Sequence, residues 1–262
     1  MLINPPSQYA EQRVPVRLVG AGPGAVDLIT VRGAKALREA EVVLYDDLGS
    51  AELLQLCGPD CEKLYVGKRA GRHSASQEAI CHLLVAKALT GRRVVRLKGG
   101  DPMVFGRAGE ELSALAEAGL EFEIVPGVTA AAAVGAAARI PLTQRGITST
   151  MVFVTGHDCS DRATPVNWRA LASLRATLCI YMGTRRFAAI AEELIAGGLP
   201  STTSVAVVAG ATLSSQNIRI GTLADGGDIT ADPEKLPALI IVGEVVRWSE
   251  LSLAARELSV AS

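Results

Sequence analysis

The sequence predicts an α/β protein of two units, the first built on a mostly parallel sheet and the second on a mixed one. Three observations carry this reading. Short apolar β-rich runs alternate with helix-compatible stretches from Val16 onward, and this periodicity breaks once near the middle. In the second half, two β-runs also follow each other too closely for a helix between them, which excludes an all-parallel arrangement there.

Residues 1–13 are polar and contain Pro5-Pro6, the signature of a loose tail. In the first domain, 14–140, the predicted strands are 16–20, 42–46, 63–67, 94–98 and 122–126. Ala, Leu and charges at i, i+3, i+4 spacing predict helices near 27–40, 76–89, 107–118 and 128–138. At 139–150 (RIPLTQRGITST), Pro, Gly, Thr and Gln replace the periodicity. A second domain, 141–248, then offers strands at 150–156, 176–183, 204–210, 216–223 and 238–246. The tail 249–262 reads as a short exposed helix, and no internal repeat is visible.

Composition narrows the function classes. Twenty-six basic and 27 acidic residues leave a net charge of −1, so bulk charge draws the chain to neither nucleic acid nor membrane. Hydrophobic residues at 49% exclude intrinsic disorder, and aromatics at 4% are too few for a base-stacking surface. Apolar runs are interrupted well short of a membrane span. The cysteines are five and scattered, and the first residues lack the apolar core of a signal peptide, so a cytoplasmic protein with reduced thiols is expected. Cys57 and Cys61 have no second pair, and His73, His82 and His157 lie far off in sequence, so no metal is expected.

Three strand-end loops are candidates for binding. The first, Gly20-Ala21-Gly22-Pro23-Gly24-Ala25, formally meets a dinucleotide fingerprint, with Asp46 at the next strand end to hold a ribose. Against that, Pro23 removes a backbone donor, and a plain tight turn explains the glycines equally. The second, Lys98-Gly99-Gly100-Asp101-Pro102, and the third, Val125-Pro126-Gly127-Val128-Thr129-Ala130, also end strands, at the carboxyl edge where open α/β sheets bind ligands.

Charge is uneven along the chain. Residues 62–107 hold ten Lys and Arg against three acids, a surplus of seven. Lys68, Arg69, Arg72 and Arg107 fall in loops at the same predicted edge, where converging cations suit a ligand bearing many carboxylates. Lys87, Arg92 and Arg93 read as a solvated helix end and turn. Asp46 and Lys68 have the chemistry for proton transfer, or for a helix cap and a surface charge. His157 after a strand reads as structural.

The runs VGAGPGAVDLITVRGAKAL (19–37), EVVLYDDLGS (41–50), VGKRAGRHS (66–74), RLKGGDPMVFGRAGEE (96–111), VPGVTAAAA (125–133), IPLTQRG (140–146), FVTGH (153–157), YMG (181–183) and PALIIVGEVV (237–246) together resemble the uroporphyrinogen-III C-methyltransferases of the tetrapyrrole methylase superfamily, from Val16 to Trp248. The resemblance implies the tetrapyrrole methylase fold, two α/β domains with S-adenosyl-L-methionine in a trough between them, and a homodimer. It implies two methyl transfers to carbons 2 and 7 of uroporphyrinogen III, giving precorrin-2 and S-adenosyl-L-homocysteine for sirohaem or cobalamin biosynthesis.

By that resemblance Asp46 is the proton acceptor and Lys68 the proton donor, although Lys68 equally suits a substrate carboxylate. The implied cofactor contacts are Pro23, Gly99, Gly100, Asp101, Val104, Thr129, Ala130, Met182, Ala211 and Ala238, with Asp101 accepting from a polar group of the cofactor. Arg69, Arg72 and Arg107 are the expected partners of the substrate carboxylates. The chain departs from the pattern at Ala209-Gly210-Ala211-Thr212, at Gln144 and after His157. Those departures keep a second reading open, another precorrin or cobalt-precorrin methyltransferase. An NAD-binding oxidoreductase is the remote one.

Overall fold

The structure, a computed structural model, describes residues 14–47, 51–67, 76–157, 165–230 and 236–249. They form two compact units divided between Thr129 and Ala130. In the first, β1 (Val16–Gly20), α1 (Val31–Glu39), β2 (Val42–Tyr45), β3 (Glu62–Tyr65), α2 (Gln77–Ala88), β4 (Val94–Lys98), α3 (Ala108–Glu117) and β5 (Phe122–Val125) follow in turn. All strand pairs are parallel, in the order β3-β2-β4-β1-β5.

Both faces of this sheet are covered, which is why β1, β2 and β4 read as nearly unbroken apolar runs. On one face Leu18, Leu44 and Val94 pack with Ile80 and Leu84 of α2 and Leu115 of α3. On the other, Val19, Val43, Val95 and Leu97 pack with Ala36 and Leu37 of α1. The predicted helix from residue 27 begins at Val31 instead. Val26–Leu28 make a 3₁₀ turn, and the Thr30 hydroxyl caps the helix by accepting from the Gly33 N–H at 3.1 Å. The glycine loop therefore does not open directly into a helix N-terminus, as a dinucleotide site requires.

The strand order places a topological switch between β1 and β4. The chain leaves β1 across β4 toward β2, and leaves β4 across β1 toward β5, so the loops after these strands diverge from one crevice at their carboxyl ends.

The second unit runs α4 (Ala130–Ala137), β6 (Met151–Thr155), α5 (Trp168–Ser173), β7 (Thr177–Tyr181), α6 (Phe187–Ala196), β8 (Ser204–Ala209), β9 (Asn217–Thr222) and β10 (Ala238–Val242). Its sheet order is β6-β7-β10-β8-β9. The mixed character expected from sequence is present: β6 and β7 are parallel, whereas β10 is antiparallel to both neighbours and β8 to β9. Phe187, Ile190 and Leu194 of α6 and Ala172 of α5 cover one face. Truncating fully buried Phe187 to Ala removes a contribution of roughly 3–5 kcal/mol.

Ala131 and Val134 of α4 cover the other face, against Cys179, Ala206, Leu239 and Ile241. That packing explains why the division falls before α4 rather than near residue 140, where the sequence changes texture. No helix among the described residues is long and apolar enough to cross a membrane.

Candidate active site

Three loops meet at the switch point of the first sheet, and glycine is what lets them meet. A Cβ on Gly20 would lie 2.6 Å from the Gly127 Cα and 2.7 Å from the Gly100 oxygen. A Cβ on Gly127 would overlap the Gly100 oxygen. Gly22 and Gly100 pair as an isolated bridge, with Gly100 N–H donating to the Gly22 oxygen at 2.7 Å and the reverse bond at 3.2 Å. Gly100 has φ of 65°, a left-handed conformation that costs glycine nothing.

Asp101 ties the second loop to the third. Its Oδ1 accepts from Met103 N–H at 2.8 Å and its Oδ2 from Gly127 N–H at 3.0 Å. Each carboxylate oxygen thus already serves a protein N–H, which makes Asp101 first an organiser of the loops. The half-buried Pro23, Gly99, Gly100, Asp101 and Val104 all belong to this cluster, with Thr129 at the end of the third loop.

In the second unit, Met182, Ala211 and Ala238 gather at one edge of the sheet. Tyr181 pairs with Leu239, Ala238 pairs with Ala209, and Gly210 N–H donates to the Pro237 oxygen at 2.9 Å. Ala130 opens α4, whose Ala131 N–H donates to the Tyr181 hydroxyl at 3.1 Å, so it too is anchored beside the end of β7.

Backbone strain marks the same positions. Six non-glycine residues among those described have positive φ, and four of them adjoin the candidate contacts: Phe105, Arg107, Met182 and Thr212. The other two, Arg139 and Arg175, follow helix ends. Such conformations cost on the order of 1–3 kcal/mol each and collect at ligand-binding loops. Exposed large apolar side chains flank these positions as well: Met103 and Phe105 in the first unit, Met182 and Leu213 in the second.

The cationic stretch is less free than its charge count predicts. Lys87 and Arg92 both pair with Glu62 at 2.6 Å, Arg93 with Glu41, and Arg107 with Glu110 through two bonds of 2.7 and 2.8 Å. The Lys87 and Arg92 partners hold the Glu62 carboxyl below its usual range. Lys87, Arg92 and Arg93 therefore brace the sheet edge rather than being merely solvated. Lys68, Arg69 and Arg72 lie outside the described residues.

Asp46 sits half-buried just beyond β2, with Oδ2 at 2.9 Å from Arg96 Nη2. Sequence reasoning missed this partner. It also missed that Arg96 and Lys98 are buried and share the fully buried Glu111 of α3. The available signal was two cations at alternate positions of the otherwise apolar VVRLK strand, followed by a second Glu at 111.

A parallel sheet with a glycine-packed switch point, joined in sequence to a mixed sheet, defines an α/β protein with a small-ligand site at the carboxyl edge of its first sheet. Residues 15–226 match the family model of the Tetrapyrrole (Corrin/Porphyrin) Methylases, and the chain belongs to that family. A siroheme synthase of Yersinia pseudotuberculosis is 53% identical over 231 residues, which cover 88% of this chain and 48% of that one. The chain thus spans about half the length of the curated relatives it matches. A uroporphyrin-III C-methyl transferase of Thermus thermophilus, solved with S-adenyl homocysteine, is 39% identical with a TM-score of 0.76, covering 89% of this chain and 99% of that one. A cobalt precorrin-4 methyltransferase matches at 32% identity and a TM-score of 0.79, covering 88% and 95%.

Proposed function

We propose that this chain transfers two methyl groups from S-adenosyl-L-methionine to carbons 2 and 7 of uroporphyrinogen III, releasing precorrin-2 and two S-adenosyl-L-homocysteines. The observation that carries this reading is the glycine-packed meeting of the loops after β1, β4 and β5, in a chain 39% identical to a uroporphyrin methyl transferase along nearly all of that protein's length.

The residues fit the cofactor. Gly99 and Gly100 keep side chains away from a ligand at the main chain, while Asp101 fixes the loops on either side. Val104 and Met182 supply apolar surface for an adenosine, and Pro23, Thr129, Ala130, Ala211 and Ala238 are small or rigid enough to allow close approach. The bound cofactor supplies the methyl as a sulfonium substituent: the S–CH₃ bond breaks as the C–CH₃ bond forms, and the sulfur leaves as a neutral thioether. The chain's task is alignment, since in-line displacement depends on the placement of two partners.

In this reading Asp46 accepts the proton lost after methylation and Lys68 donates one. Arg69, Arg72 and Arg107 bind carboxylates of the eight-carboxylate macrocycle, with Arg107 exchanging Glu110 for substrate. The protein acts in the cytoplasm as a homodimer, upstream of sirohaem or cobalamin.

The likeness to the cobalt precorrin-4 enzyme favours one other reading, a precorrin methyltransferase with a different ring carbon. Incubation with uroporphyrinogen III and methyl-labelled cofactor separates the two. Two labels per macrocycle, located at carbons 2 and 7, are expected. No label on uroporphyrinogen III, with labelling of a methylated corrinoid precursor, overturns the proposal in favour of the other reading.

A further inference from the structure

Among the described residues of the first unit, the most deeply buried charges lie beneath Asp46. Because side chains alternate along a strand, Val94, Arg96 and Lys98 of β4 all face α2 and α3. There Glu111, fully buried, accepts from Arg96 Nε at 3.1 Å, from Lys98 Nζ at 2.9 Å on each oxygen, and from Gln77 Nε2 at 3.4 Å. Arg96 Nη1 donates to the Leu97 oxygen at 2.8 Å and the Leu44 oxygen at 3.4 Å. Nη2 donates to Asp46 Oδ2 at 2.9 Å.

Stability alone is a poor reason for this arrangement. Removing charges from water costs several kcal/mol per ion, and well-packed apolar residues of similar volume commonly serve a core at least as well. Burial, with Arg96 close by, pulls the Lys98 pKa down, the mark of an ammonium held where solvation does not favour it. The arrangement makes better sense as a clamp. A guanidinium is a planar fork, and here Nε and Nη1 are fixed by buried acceptors, so Nη2 has one direction left. It reaches the half-exposed Asp46.

We propose that Arg96, clamped by Glu111 and the main-chain oxygens of Leu97 and Leu44, is a positioning residue that holds the Asp46 carboxylate in the orientation from which it accepts the proton. This rests on the reading of Asp46 as proton acceptor. Lys in place of Arg96 keeps the charge but cannot span Glu111, the main chain and Asp46 together. Arg96→Lys is therefore expected to lower kcat by on the order of 10²-fold, the effect of misplacing a reacting group by about 1 Å. Affinity for S-adenosylhomocysteine by calorimetry and KM for uroporphyrinogen III stay within about twofold of wild type, close to the error of additive effects. Glu111→Gln, which loosens the clamp from the other side, lowers kcat in the same sense.

The discriminating measurement is single-turnover methyl transfer, normalised to S-adenosylhomocysteine-binding sites, in a double-mutant cycle with Asp46→Asn. If Arg96 acts through Asp46, adding Arg96→Lys to Asp46→Asn lowers the rate no further. A wild-type rate in Arg96→Lys, or losses that multiply in the double variant, overturns the inference. So does failure of both Arg96→Lys and Glu111→Gln to fold into cofactor-binding protein, since the cluster is then only structural. A wild-type rate in Asp46→Asn alone identifies the reading of Asp46 as the faulty step.

Discussion

Asp101 shows how much one side chain does in this protein. The resemblance marks it as a cofactor ligand, and its two oxygens also accept from the N–H groups of Met103 and Gly127. A carboxylate accepting from two backbone donors at a loop junction sets the shape a ligand meets, whether or not it touches that ligand. Asp101→Asn keeps the volume but turns one acceptor into a donor, which then faces an N–H. Charge-assisted hydrogen bonds contribute roughly 1.5–3 kcal/mol, so S-adenosylhomocysteine affinity is expected to fall about tenfold or more. Calorimetry on the variant checks this, and unchanged affinity would remove Asp101 from the site. The buried Arg96, Lys98 and Glu111 carry the opposite lesson. The alternating cations in VVRLK do not show their pairing in the sequence, because the carboxylate that balances them lies on α3, 13 or more positions along the chain.

At the scale of elements, most strands were legible because buried apolar runs are bounded by Gly, Pro or charge. The departure of β9 from an all-parallel sheet was legible because no crossover fits between it and β8. Of the second unit's helices, α4 was drawn from sequence as the helix near 128–138, whereas α5 and α6 were not. α5 has six residues, too few for a period to declare itself, while α6 carried a readable stripe in Phe187, Ile190, Ala191 and Leu194. α4, nearly all Ala, has no amphipathic contrast, so its sequence does not say which sheet it covers. The loops after β1, β4 and β5 were legible as glycine-rich, but their mutual contact was not. That contact predicts a sharp difference between two glycines. Gly127→Ala forces a Cβ into the Gly100 carbonyl and is expected to destabilise by about 1–3 kcal/mol or more. Gly109→Ala, in an open position near the start of α3, is expected to be neutral or stabilising by up to about 1 kcal/mol. Urea unfolding measures both, and equal effects would mean that the three loops do not pack as described.

For the whole molecule, the distribution of ionisable groups fixes how stability follows pH. Glu39, Glu62 and Glu193 have carboxyls lowered by hydrogen bonds from Arg17, from Lys87 and Arg92, and from Arg169, and Asp225 is lowered by Thr222. As pH falls the unfolded chain takes up protons first, so their contribution is intact above the ordinary 4.5 and 3.8 and is lost as pH drops through the lowered values. At the other end, burial raises the Cys57 thiol to about 11 and Cys179 to about 12, against an ordinary 9.0. There the unfolded chain loses protons first, so this contribution is complete below 9.0 and declines as pH rises through the raised values. Lys98 works against that decline. Its lowered pKa means the unfolded state binds more protons just under 10.5, so its own contribution grows with pH in that window. With two strongly raised thiols against one lysine, unfolding free energy measured in urea is expected to be flat between about pH 5 and 8.5 and to fall on both sides. Replacing Cys57 and Cys179 by Ala should lower the plateau through lost packing and make the alkaline decline shallower, with Cys61 and Cys81, whose thiols burial also raises, still opposing Lys98. An undiminished alkaline decline in that variant would assign the loss to groups other than these two thiols.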